Sequence, residues 1–398
     1  MRGYQVGLWA LIALGPMTAC KDKTPPQTEI VQRQTAAEIT PADARSFAET
    51  MEKAIKAKDG PAYNALIDWD ALIGIATEGL DLPSALKRSF KSGVQSTGAG
   101  GPLAQAIVQA LEAGGHYDLV KIREVDGQRR ALFRLIMPND SGMNYHDVIL
   151  GRGAAGKVRA IDIHVYLTGE TLSQTFRRML IPLAASAGIM GRLSGEESLL
   201  VKHIEDVQTM SVAAQSGDRA QALRAYGKLP RALQKEKFIQ LMRVTATQTG
   251  DEADYIAALD EMQQLFPNDP CMDMLLIDSH FMKKEWDKAL ASVDRLDKQL
   301  DGDPYLDVMR TGLLMEKGEK DEALRRAQSA AKALPDIQES HWSLLTAALM
   351  KQDYDLALET MKRLETKFSV QFTDLRGNAE FAGFVASPQF AAWQSRAQ

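Results

Sequence analysis

GDRAQAL (217–223), GDEADYI (250–256), KEWDKAL (284–290), GEKDEAL (318–324) and QDYDLAL (352–358) are five copies of one phrase. Their sixth positions, Ala222, Tyr255, Ala289, Ala323 and Ala357, are spaced 33, 34, 34 and 34 residues apart. One helical turn on stand Tyr226, Leu259, Val293, Ala327 and Met361, and a turn further Leu229, Met262, Leu296, Ala330 and Leu364. Such a stripe is the buried face of a helix. A small residue at the sixth position lets that helix lie close to its neighbour. The phrase therefore predicts helices over 219–229, 252–266, 286–300, 320–334 and 354–368. Each follows a partner helix, over 199–215, 236–249, 271–283, 305–317 and 339–351. Pro267 and Pro335 close two of them, and Asp269-Pro270 and Asp303-Pro304 open the helices that follow.

A period of about 34 made of paired helices resembles the tetratricopeptide repeat. The resemblance covers roughly half of the chain. It departs from the family in the first helix of each pair, which lacks the usual tryptophan signature, and at Tyr255, where alanine is expected. It implies an all-α solenoid over 195–398, opened by Ser194-Gly195-Glu196-Glu197 as a capping box. It also implies a concave face, lined by the first helices, that holds a protein partner. Asp273, Asp278, His280, Arg310 and Lys351 are the outward polar candidates there, plain solvated helix face being the alternative. FTDLRGNAEFAGFVASPQFAAW (372–393), with Phe381, Phe384, Phe390 and Trp393, is expected to cap the end of the stack.

The chain begins MRGYQVGLWALIALGPMTAC. One charge, Arg2, precedes an apolar run over 6–14, the form of an export signal and too short to span a bilayer. Met17-Thr18-Ala19-Cys20 resembles the lipobox of bacterial lipoproteins, with Met17 where leucine is usual. That resemblance implies removal of 1–19 and acylation (palmitate and related chains) of Cys20. Each buried CH₂ of such a chain contributes about 0.8 kcal/mol to membrane binding. Lys21, standing where an inner-membrane lipoprotein often carries aspartate, implies by the same resemblance an outer-membrane protein facing the periplasm in a host with two membranes. Residues 20–39 open polar and Pro-rich, as a tether does.

Residues 40–190 read as a separate α+β domain. Thr40-Pro41 starts a helix carrying Phe47, Met51, Ala54 and Ile55, and shorter helical pieces follow to residue 111. From 117 the period changes to two, predicting strands over 117–125, 129–137, 143–150 and 158–167 in a four-stranded antiparallel meander. In the last, Ile161, Ile163, Val165 and Leu167 fall on one side; Ala160, Asp162, His164 and Tyr166 fall on the other. A helix begins near Thr171, with Thr171 and Gln174 as capping box. This order of elements resembles the cone of the cystatin and nuclear-transport-factor-like superfamily, which implies a ligand pocket on the sheet. Arg134, His146 (with Asp147 beside it), Asp162 and His164 are its candidate lining, able to bind a polar molecule or to work as base and orienting acid if register brings them together. Solvated residues on the open side of a half-buried sheet is the commoner outcome for such a set.

The totals bound the rest. The chain of 398 residues is 45% hydrophobic and 25% charged, ordinary for globular protein, with a formal charge of −5. There is no basic excess for a nucleic-acid backbone. Six scattered histidines and two cysteines, Cys20 and Cys271, give no metal-ligand spacing, and no nucleophile elbow or phosphate loop occurs. No cofactor or metal is expected. The leading expectation is a non-enzymatic, membrane-anchored scaffold that binds protein through its repeats. The alternative is a ligand-binding or catalytic sheet domain with the repeats as accessory.

Overall fold

The structure is a computed structural model. It describes residues 38–80, 82–96, 102–137, 142–153, 156–186, 195–248, 250–373 and 375–395. The expected leader, Cys20, the tether up to residue 37 and Ser194 lie outside the described residues. The chain forms two compact units, Met1–Leu275 and Leu276–Gln398.

In the first unit, helix α1 (Pro41–Lys56) starts where the Thr40 hydroxyl accepts the Asp43 N–H at 3.1 Å, with Pro41 in the first turn. Asp59 and Asp68 cap α2 (Gly60–Leu66) and α3 (Trp69–Ala76) in the same way. Helices α4 (Ser84–Ser96) and α5 (Pro102–Glu112) follow. The sheet then runs in chain order through β1 (His116–Val125), β2 (Gln128–Ile136), β3 (Met143–Arg152), β4 (Val158–Val165) and β5 (Glu170–Thr171), every pair antiparallel. Asp126 and Gly127, between β1 and β2, both have left-handed φ (51° and 72°). A two-residue type I′ hairpin requires this of its turn.

The predicted four-strand meander needs two corrections. Gly169, at φ +61°, turns the chain back so that Glu170 and Thr171 pair with Val165 and His164 before α6 (Leu172–Ser186) begins. Two residues are too few for alternation to reveal this fifth strand. The second correction is a bulge. Ile149 pairs with Asp162 but Leu150 pairs with Ala160, leaving Ile161 as the extra residue. Ala160 therefore turns to the core and away from Asp162 and His164. Gly151 makes room for the displaced side chain, since a Cβ there would come 2.5 Å from Ile161 Cγ2.

One face of the sheet carries the main core. Tyr117, Phe133, Val148 and Ile163 join Met51, Leu72, Phe90, Ile107 and Phe176 from the helices. The Tyr117 and Phe133 rings stack at 5.0 Å. The first unit continues into helices. These are α7 (Gly195–Lys202), α8 (Ile204–Ser216), α9 (Arg219–Lys228), α10 (Arg231–Gln234), α11 (Lys237–Thr247), α12 (Glu252–Leu265) and the start of α13 (Cys271–Met282). The helix predicted over 199–215 is divided at His203. Ile181 of α6 shares an apolar cluster with Leu200, Val207, Met210 and Ile239, so the α+β part and the first repeat helices have a common core. Lys237 adds a polar joint, its Nζ lying 2.9 Å from both the Gly169 carbonyl and Asp269 Oδ2.

The second unit contains α14 (Trp286–Gln299), α15 (Leu306–Lys317), α16 (Lys320–Ala333), α17 (Gln338–Lys351) and α18 (Tyr354–Phe368). A 3-10 turn (Ala379–Phe381), α19 (Ala382–Val385) and α20 (Pro388–Gln394) follow. The repeated phrase now has a physical reading. Its first residue ends the preceding helix in the left-handed region: Gly217, Lys284, Gly318 and Gln352 have φ of 76°, 56°, 89° and 59°. Its second residue caps the next helix, as Asp218 and Asp353 do by accepting the Gln221 and Leu356 N–H groups at 2.9 and 3.1 Å. All four sixth-position alanines are fully buried. Ala323→Leu is expected to destabilise the chain by about 1–3 kcal/mol in urea unfolding through overpacking, whereas the same change at exposed Ala333 alters stability by less than about 0.5 kcal/mol.

Candidate functional site

The second face of the sheet carries the polar residues. Register places Arg123 opposite Arg130, Leu132 opposite Asp147, Asp147 opposite His164, and Arg134 opposite Tyr145, so all of these share one side. That side is not open to water, because Leu132, Tyr145 and Asp147 are fully buried and Arg134 and Asp162 nearly so. At its centre the Asp147 carboxylate lies 2.7 Å from Arg123 Nη2 and 3.3 Å from Arg130 Nη1. Arg123 also donates to the Tyr166 hydroxyl at 2.5 Å. Burial pulls the Arg123 pKa down, but hydrogen bonds to Asp147 and its charge hold it raised overall. One buried carboxylate thus ties three strands together through two cations.

The predicted set divides. Arg134, Asp162 and His164 are on this face. Arg134 Nη2 approaches Asp118 Oδ2 at 3.9 Å, and Lys56 meets the other Asp118 oxygen at 2.7 Å. Asp162 serves the start of α6, accepting the Ser173 N–H at 3.1 Å and the Ser173 hydroxyl at 2.5 Å. Its pKa is raised, because burial outweighs those hydrogen bonds. His164 stands edge-on to Tyr166 at 5.0 Å. Burial, opposed by Asp147 and assisted by Arg130, Lys237 and Arg123, lowers its pKa. His146 is on the core face instead, opposite Phe133, with its ring 5.6 Å from Tyr117. The chemistry of this face belongs to Asp147, one residue along, because alternation sends neighbours to opposite sides. The available signal was Arg123 and Arg130 flanking the Asp126-Gly127 turn, a spacing that makes them cross-strand neighbours.

Burial, and after it the charge of His164, lowers the His146 pKa to about 3. Its folded pKa lies below the unfolded value of about 6.5. The unfolded chain therefore binds the proton first, and stability falls as pH drops from about 6.5 toward 3. The loss amounts to roughly 3 kcal/mol by pH 4. Denaturant titrations between pH 7 and 4 are expected to show this slope, and His146→Phe to reduce it by about one bound proton.

The repeats also rearrange expectation. Asp278 and Arg310 are 4% and 7% exposed, and Asp273 and His280 are similarly buried. Arg310 lies 2.8 Å from both Asp294 and Asp297 and 3.1 Å from Asp307. His280 Nδ1 lies 2.8 Å from Glu285. Lys351 is half-buried and bridges to Asp321 at 2.5 Å. The expected outward polar face on the first helices is therefore corrected. Cys271–His280 in α13 and most of α15 are buried around their circumference, and His280 and Arg310 turn inward to acidic partners. The exposed faces belong to α14, α16 and α18, where Asp294, Ser329 and Lys362 stand out. Cys271 is fully buried, and burial pushes its thiol pKa up.

Among the described residues, no group of three His, Cys, Asp or Glu side chains could hold a metal ion, and no helix is long and apolar enough to cross a membrane. No protein-family model matches the chain, and no curated protein matches it. Among solved structures it is similar to the crystal structure of the MamA protein, at 18% identity and a TM-score of 0.36. The likeness covers 43% of this chain and 98% of that one, and is too slight to bear on function.

Proposed function

We propose that the chain is a lipid-anchored scaffold of the cell envelope that holds a protein partner through its helical repeats. The observation that carries the reading is the run of paired helices at a period near 34, whose second helices α14, α16 and α18 bury an apolar stripe and keep a charged face outward. The lipobox-like Met17-Thr18-Ala19-Cys20 supplies the anchor, and Lys21 favours the periplasmic side of an outer membrane. In this reading 1–19 is removed and 20–39 spaces the protein from the bilayer. The cone-like part, 40–190, acts as a platform that shares its core with the first repeats. The alternative of a catalytic sheet has less support, because Asp162 and Arg134 have other partners and His146 faces the core.

Photo-cross-linking tests the scaffold. With the cross-linker placed at Asp294, Ser329 or Lys362 in the membrane-bound chain, a protein adduct is expected. The same adduct obtained only from positions such as Lys53 on α1 overturns the reading. Fractionation tests the anchor separately: Cys20→Ala is expected to move the chain from the membrane to the soluble fraction.

A further inference from the structure

The second unit has a groove of about 230 Å³ between α17 and the chain that follows α18. Trp342, Thr346 and Leu349 line it from one face of α17, at helical spacing. Helix α18 ends at Ser369, whose left-handed φ of 57° turns the chain back. The Val370 N–H closes that turn on the Leu364 carbonyl at 3.1 Å. Phe372 is thereby brought against Trp342, with ring centroids 5.5 Å apart and planes at 62°. Phe381 stands to Phe372 at 6.2 Å and 61° and forms part of the floor. Asn378 Oδ1 accepts the Glu380 N–H at 3.0 Å, which starts the 3-10 turn and fixes Glu380 on the rim.

The chemistry of these walls is one-sided. Trp342 and Phe372 are only half-buried, and both line the groove. Rings inclined to one another in this way form walls, whereas parallel rings would close on each other. The face of each ring is the negative end of its quadrupole. To these the exposed Glu380 adds a carboxylate that has no cation within ion-pair distance among the described residues. No lysine or arginine occurs in the described lining. The groove is thus electron-rich and unneutralised, the complement of a cation. An ordinary ammonium brings three N–H groups that aromatic rings satisfy poorly. A quaternary ammonium brings methyl groups instead, and its charge is spread over their apolar surface. Sites for drug-sized molecules begin at roughly 300 Å³, so the occupant here is smaller.

We propose that this groove binds a small quaternary ammonium cation of choline size, its methyl groups against the Trp342 and Phe372 rings and its charge balanced by Glu380. The site involves none of the outer faces of α14, α16 and α18, so it stands or falls apart from the scaffold reading.

Calorimetric titration of the full chain with choline tests it. The controls are methylammonium and the uncharged analogue of choline that has carbon in place of nitrogen. Choline is expected to bind saturably, about tenfold or more tighter than either control. Trp342→Leu is expected to weaken choline by about tenfold, and Glu380→Gln by roughly threefold to tenfold. Glu380 is exposed, so Glu380→Gln decides the matter even where Trp342→Leu does not fold. Four results overturn the proposal: no choline binding up to about 10 mM, the uncharged analogue binding as well as choline, binding unchanged in Glu380→Gln, or a trimethyllysine peptide binding about tenfold tighter than choline, which would make a protein the occupant.

Discussion

Asp147→Ala is expected to destabilise the first unit by about 3–5 kcal/mol, seen as an early transition in urea unfolding. The reason is what remains behind. Asp147 is fully buried and lies within 3.3 Å of two arginines, and removing it takes from the buried Arg123 cation the carboxylate that stands 2.7 Å from it. Arg130, whose side chain is 15% exposed, can partly regain water, which sets the lower end of the range. Asp147→Asn keeps an acceptor without the charge and is expected to fall between. The paired replacement Arg123→Met with Asp147→Leu removes both charges, and stability close to the parent is expected. A large loss in that double variant would mean that packing, not charge pairing, holds this face.

Phe384→Ala is expected to cost about 3–5 kcal/mol in the second unit and to release its C-terminal segment. Phe384 is fully buried and stands edge-on to Tyr354 at 6.1 Å, Phe390 at 5.9 Å and Phe381 at 6.5 Å. The helices it anchors, α19 and α20, have 4 and 7 residues and cannot persist without tertiary contacts. Hydrogen exchange is expected to show α19, α20 and the exposed end of α18 losing protection together. Gly383→Leu is expected to act in the same direction, because a Cβ there runs into the Tyr354 hydroxyl. If exchange in 379–394 stays slow in Phe384→Ala, the segment is held by something other than this aromatic cluster.

The repeated phrase was legible because each of its positions answers to a local rule. A left-handed helix end, an acidic cap and a small residue at a close helix contact all lie within one phrase, so sequence spacing alone reports them. The predicted second helices accordingly end within a residue of α9, α12, α14, α16 and α18. The aromatic tail and the Asp126-Gly127 hairpin were legible for the same reason. What period two could not reveal in 158–167 was the bulge at Ile161, because an extra residue depends on how β3 and β4 pair.

The sequence by itself determined the helical repeats, the helices-then-sheet order and the turn chemistry that joins them, all of which arise from contacts between near neighbours in the chain. Only the tertiary structure decided which polar residues meet. His146 and Asp147 are adjacent in sequence, yet the pleat sends one into the apolar core and the other to two arginines. Asp278, His280 and Arg310 look outward on a helical wheel, yet they lie inside because neighbouring elements cover their helices. Trp342, Phe372 and Glu380 show no motif at all, because their groove is assembled from α17 and the tail that returns over it. A helix or a turn answers to its own sequence; a buried ion pair or a groove answers to register and packing between segments that the chain order keeps apart.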